Sequence, residues 1–164
     1  MMASNGGALF RIDLANDFFY NSDETLFTCT FYCLLGGAAF PDDQWTDFAA
    51  TVLDWWAEEL LRVSGRKQAT FELLFEDGPF RLEGRRDGAR VLLRGMTDRP
   101  GDVGPEVEVP FAELAKAVES AARRLSTALH QAGRARDAQA AANIAAKARR
   151  VAQRPAPSHD RRID

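Results

Sequence analysis

The chain has 164 residues, 46% hydrophobic and 27% charged, enough for one domain with a core of its own. No apolar run approaches the roughly 18 residues that span a bilayer, and Met1–Gly7 lacks the basic and apolar blocks of a signal peptide; a cytoplasmic protein with no membrane partner is the expectation. The net charge of −3 is unevenly spread: residues 1–64 carry two basic against ten acidic side chains, 65–130 balance, and 131–164 carry eight basic against three acidic.

Residues 9–14 alternate, with Phe10, Ile12 and Leu14 on one side and Arg11 and Asp13 on the other, the pattern of a half-buried strand. Asn16, Asp17, Asn21, Ser22 and Asp23 mark a turn region around Phe18–Tyr20. A clearer strand covers 25–35. Phe27, Cys29, Phe31, Cys33 and Leu35 share its core face, opposite Thr28, Thr30 and Tyr32, and Gly36-Gly37 ends it. Two cysteines four residues apart on one strand stand about 13 Å apart, too far for a disulfide, so both read as buried thiols.

Pro41 and Asp42 supply helix start signals, and Phe48, Ala49, Val52, Trp55 or Trp56, Leu60 and Val63 recur at helical steps, which predicts a helix over 42–63 stopped at Gly65. Strands follow at Thr70–Phe75, Phe80–Glu83 and around Val91–Leu93, separated by the turn signals Glu76-Asp77-Gly78-Pro79 and Asp87-Gly88. Glu106–Val109 suits a short edge strand. A second helix, 110–130, lines up Phe111, Leu114, Val118, Ala121, Ala122, Leu125 and Leu129, and Gly133 interrupts it.

The expected fold class is α+β: an antiparallel sheet of about five or six strands with two helices packed on one face. The C-terminal Ala/Arg-rich extension is expected to be helical or disordered. Residues 1–133 form the single domain. Residues 134–153, with Ile144 and Val151 as their large apolar groups, form a marginal helical extension, and 154–164 a disordered tail.

No phosphate-binding loop, dinucleotide glycine fingerprint, nucleophile elbow or paired-histidine helix is present. The histidines are His130, at a helix end, and His159, in the tail. No catalytic group, cofactor or metal site is therefore assigned. The most suggestive feature is acidic. Asp47, Asp54 and Glu58 follow helical spacing and Asp43 extends the row, placing four carboxylates beside the apolar stripe and facing water. Such a row is a solvated face or a platform for a protein partner with a basic surface. As a metal site it would need carboxylates from a second element, such as Asp13, Asp17, Asp23 or Glu24. The pair Trp55-Trp56 points about 100° apart on a helix, and both are expected in the core because the helix packs on a sheet.

The basic end offers another partner. Arg134, Arg136, Lys147, Arg149, Arg150 and Arg154 could contact the phosphates of a nucleic acid. A small enzyme or ligand carrier with a pocket between sheet and helices is a third class.

The run Trp45-x2-Phe48-x3-Val52-Leu53-x-Trp55-Trp56, followed by Phe75-Glu76-Asp77-Gly78-Pro79-Phe80, resembles a pattern in small uncharacterised bacterial α+β proteins of the polymorphic-toxin immunity type. The resemblance implies a cytoplasmic inhibitor that binds and blocks a toxin and performs no chemistry itself. Together with the acidic first third of the chain, it makes a non-catalytic protein-binding module the leading expectation, with Asp43, Asp47, Asp54 and Glu58 as contacts.

Overall fold

The alternation of Phe27, Cys29, Phe31, Cys33 and Leu35 builds strand β3 (Phe27–Leu35), with all five side chains buried. Four short antiparallel strands pair with it: β1 (Phe10–Leu14), β2 (Phe19–Tyr20), β4 (Ala38–Phe40) and β5 (Thr46–Asp47). The register puts Ile12 opposite Cys33, Phe19 opposite Thr28 and Thr46 opposite Thr30. Between β1 and β2 the Asp17 carboxylate accepts the Thr30 N–H at 2.8 Å and its hydroxyl at 2.6 Å, filling the ladder where the chain leaves it. The computed structural model describes residues 9–157.

Helix α1 (Ala49–Val63) leads to a second antiparallel sheet, a meander of β6 (Gln68–Leu74), β7 (Phe80–Asp87), β8 (Arg90–Thr97) and β9 (Glu106–Pro110). Helices α2 (Phe111–Gln131) and α3 (Ala135–Gln153) complete the chain. The fold is α+β with antiparallel sheets, as the pattern predicts, but the strands divide into a five-stranded and a four-stranded sheet rather than one. The division falls at α1, which packs on β3 and on β6.

Aromatic side chains join these parts. Phe31, Trp56, Phe75, Phe40, Phe80 and Trp45 meet in a chain of edge-to-face contacts, with neighbouring ring centroids 4.9–6.2 Å apart. Strand β8 passes close beneath this cluster. A Cβ at Gly95 would come within 2.6 Å of the Phe40 ring, so only glycine fits there. The Trp56 indole N–H donates to the Leu74 carbonyl at 2.7 Å, satisfying a group on the edge strand β6.

Helix α1 begins at Ala49, not at residue 42. The start signals at Pro41 and Asp42 lose to pairing: Phe31 N–H donates to the Trp45 carbonyl, and Thr46 and Asp47 form β5 against β3. Tertiary hydrogen bonding overrides local propensity here. At its other end the guanidinium of Arg86, 4% exposed, donates to the carbonyls of Val63, Ser64 and Gly88 at 2.8–3.0 Å and lies 3.9 Å from the centre of the Phe111 ring.

The extension 134–153 is a full helix packed on α2 and α1. Its burial rests on alanine: Ala138, Ala141, Ala145 and Ala148 are buried along with Ile144 and Val151. Alanine has the highest helix propensity and no side-chain entropy to lose. Its small size lets α3 approach α2 closely, where the Ser126 hydroxyl donates to the Ala138 carbonyl at 2.7 Å. The expectation of little surface to bury counted only large side chains. Gly133, at φ +75°, makes the turn between the helices. Arg134 then ties that turn to the β2–β3 hairpin, donating to the Glu24 carbonyl at 2.7 Å and stacking on Tyr20. The residues 158–164 of the expected tail lie outside the described residues.

Ala148→Leu should therefore overpack the α2–α3 contact and cost about 1–3 kcal/mol, measured by urea denaturation. Circular dichroism and tryptophan fluorescence should report one shared transition. A loosely attached extension would accept leucine without loss and melt separately.

Candidate functional site

The four carboxylates of the expected acidic row do not share a helix face. Asp43 is exposed in the connection between β4 and β5. Asp47, expected to face water, is fully buried. It accepts the Trp45 indole N–H at 3.1 Å, the Phe48 N–H at 2.7 Å and the Asp77 N–H at 3.2 Å, so it joins the approach to α1 to the β6–β7 turn. Burial raises its pKa, partly offset by the Trp45 donor and then the two backbone N–H groups.

Asp54 and Glu58 do lie one helical turn apart on α1, as the spacing requires. Both accept hydrogen bonds from Lys147 of α3, at 3.1 Å from Asp54. The acidic stripe and the basic extension thus meet within the same molecule. A lysine among the alanines of 138–148 was the visible signal, but only the docking of α3 shows where it points. Both tryptophans are expected in the core, but only Trp56 belongs to it; Trp55, about 100° round the helix beside Asp54, stays 41% exposed.

The other basic residues divide in the same way. Arg134 pairs with Glu24 and Asp137, and Arg154 donates to the Ser64 hydroxyl at 2.6 Å. Arg136, Arg149 and Arg150 are exposed and make no ion pair among the described residues. The carboxylates considered as metal ligands are occupied too. Asp13 pairs with Arg11, Asp17 binds Thr30, Asp23 binds Thr25, and Glu24 binds Arg134. Among the described residues no group of three His, Cys, Asp or Glu side chains is placed to hold a metal ion.

Both cysteines are free and buried; burial pushes Cys29 up to about 12 and Cys33 well above its ordinary value, so the thiolates that would react are suppressed. His130 is exposed in the last turn of α2, and His159 lies outside the described residues. No helix among the described residues is long and apolar enough to cross a membrane.

The outer faces of the two sheets differ, and the pattern of single residues does not foretell the difference. On the second sheet, cross-strand ion pairs run across the surface, Arg81 with Glu72, Arg90 with Glu108 at 2.7 Å, and Arg94 with Glu106, with Leu74 left 45% exposed at the β6 edge. On the first sheet, residues directly opposite one another share a face. Phe19 therefore sits beside Thr28, Asp13 beside Tyr32, and Arg11 beside Leu34. Continuing the alternation adds Leu26 and Leu9. Phe19 is 76% exposed, Leu9 53% and Leu26 49%. Burial first, then the carboxylates of Asp13 and Asp43, raises the Tyr32 phenol.

Comparison with protein-family models, curated proteins and solved structures finds no match.

The pKa of Asp47 carries a testable sign. Its folded value is raised, so the folded state favours the protonated form more than the unfolded chain does. The contribution of this group to stability should fall as pH rises from the ordinary carboxyl value through the raised one. Asp47→Asn should abolish that slope and, by setting an amide against N–H donors, cost about 1–3 kcal/mol. Urea denaturation across that pH range, with carboxyl NMR titration of Asp47, checks both; a midpoint at or below the ordinary value would contradict the assignment.

Proposed function

We propose that the protein is a non-catalytic protein-binding module that presents the outer face of its first sheet to a partner with a basic surface. The supporting observation is the exposed pair Phe19 and Leu26 at one end of the first sheet's outer face, beside Thr28, with the carboxylates of Asp17 at Thr30 and Asp13 at Tyr32 next along the same face. Exposed apolar side chains flanked by polar groups are the ordinary anatomy of a protein interface. The ion pairs that run across the second sheet have no counterpart at Phe19 and Leu26. Acidic groups on this face raise the encounter rate with a basic partner and reject acidic ones.

Asp43 keeps its expected role as a contact in this reading. Asp54 and Glu58 are secondary, since Lys147 already screens them, although both side chains remain about half exposed. Asp47 acts on the interface by holding the Trp45–Phe48 segment in place. The function is that of an immunity-type inhibitor: it covers a basic surface of its target and performs no reaction.

The test is capture from native lysate at low salt with the tagged full chain, mass spectrometry of the bound protein, and titration of that protein with variants. Phe19→Ala should weaken binding by about 1–3 kcal/mol, as expected for an aromatic anchor. Asp43→Lys should slow association and reduce its salt dependence. Equal affinity for wild type and both variants would place the contact elsewhere.

A further inference from the structure

A second surface differs from the sheet face in both charge and shape. The groove between α2 and α3, of about 710 Å³, is floored by Ala142, Ala145 and Ala146 and walled by Arg123, Arg149 and Arg150. Its one carboxylate, Glu119, pairs with Arg123. Arg149 and Arg150 make no ion pair among the described residues, whereas Arg134, Lys147 and Arg154 of the same segment turn inward to Glu24, Asp54 and Ser64. The neighbouring groove between β1 and α2 differs: it shares Glu119 and Arg123, its Lys116 pairs with Glu113, and its Arg124 donates to the Ile12 carbonyl.

We infer that the α2–α3 groove is a docking site for an acidic polypeptide segment of another protein. Three observations select this occupant. Guanidinium forks match carboxylates in a bidentate manner, and three guanidinium groups face one carboxylate here. The floor is methyl groups, which suit the aliphatic side chains of a peptide. No aromatic side chain lines the groove, so the bases of a single strand have no surface to stack on. A duplex is read by elements that project into its grooves, and a concave cleft receives a chain instead. Along α3 the lining runs from Ala142 to Gln153, about 16 Å at helical rise, which accommodates about five extended residues. The site shares no residue with the proposed sheet interface, so either can fail alone.

Fluorescence anisotropy tests the site directly, with a labelled short peptide of alternating glutamate and leucine. The comparison probes are its glutamine counterpart, a single-stranded oligodeoxynucleotide and a DNA duplex. The acidic peptide should bind the full chain and weaken steeply with salt. Glutamine replacement should cost at least about tenfold in affinity, as should the double variant Arg149→Glu, Arg150→Glu. The milder Arg149→Gln, Arg150→Gln should fall between, with circular dichroism confirming the fold of each. Methyl NMR shifts on binding should centre on Ala142, Ala145 and Ala146. No binding of the acidic peptide, equal binding by the charge-reversed protein, or tighter binding of either nucleic acid would overturn the inference.

Discussion

Helix α1 is clamped at both ends by buried charged side chains of opposite sign, and the rest of the fold is arranged around that clamp. At its N-terminal approach stands Asp47; at its C-terminal end stands Arg86. Neither has an ionic partner in its immediate shell. Asp47 is held by three N–H donors, and Arg86 by three carbonyls and the face of Phe111. The signs match the helix dipole, a carboxylate at the positive end and a guanidinium at the negative end. Leaving a buried charge without these bonds would be costly. The clamp therefore specifies one position for α1. Asp47 sits in β5 of the first sheet and reaches the β6–β7 turn; Arg86 belongs to β7 of the second. Each charge ties one end of the helix to the second sheet, and the aromatic cluster fills the space between.

The charge asymmetry of the sequence has an internal use before any external one. Its acidic front and basic end are brought into contact by α3, where Lys147 bridges to Asp54 and Glu58 and Arg134 to Glu24. These partly exposed pairs contribute little stability singly. Their effect is on specificity, since they orient a helix whose packing surface is mostly alanine, with Ile144 and Val151 as its larger groups. An alanine stripe tolerates sliding, because one methyl resembles the next. Fixed ion pairs near each end of α3 set its register.

Much of the architecture was legible from period and punctuation. The strand at 25–35, the meander through Gly78 and Gly88, and the helix from Phe111 all occur where alternation, Asp-Gly turns and three- and four-residue spacing place them. What escaped depends on partners distant in sequence. Asp42 signals a helix start, but β3 claims Thr46 and Asp47 first. Asp47 fits a helical row with Asp54 and Glu58, and only the approach of the β6–β7 turn buries it. The short strands Phe19–Tyr20 and Ala38–Phe40 are too brief for a period to register. Residues 134–153 read as a marginal helix because large apolar groups were counted and small ones were not.

The two sheets meet the same physical problem on their outer faces and solve it differently. A sheet covered by helices on one side must leave its other side to water or to a partner. On the second sheet, three arginine–glutamate pairs link β6 to β7 and β8 to β9, with Leu74 exposed at the β6 edge. On the first, the positions equivalent in alternation are Phe19, Thr28, Tyr32 and Leu34, with Arg11 and Asp13 toward β1. Nothing in the strand geometry demands an exposed phenylalanine there; threonine or lysine would pair as well. A single exposed apolar side chain is ordinary on a protein surface; what sets Phe19 apart is Leu26 two positions from its cross-strand neighbour on the same face, and the proposed interface rests on that adjacency.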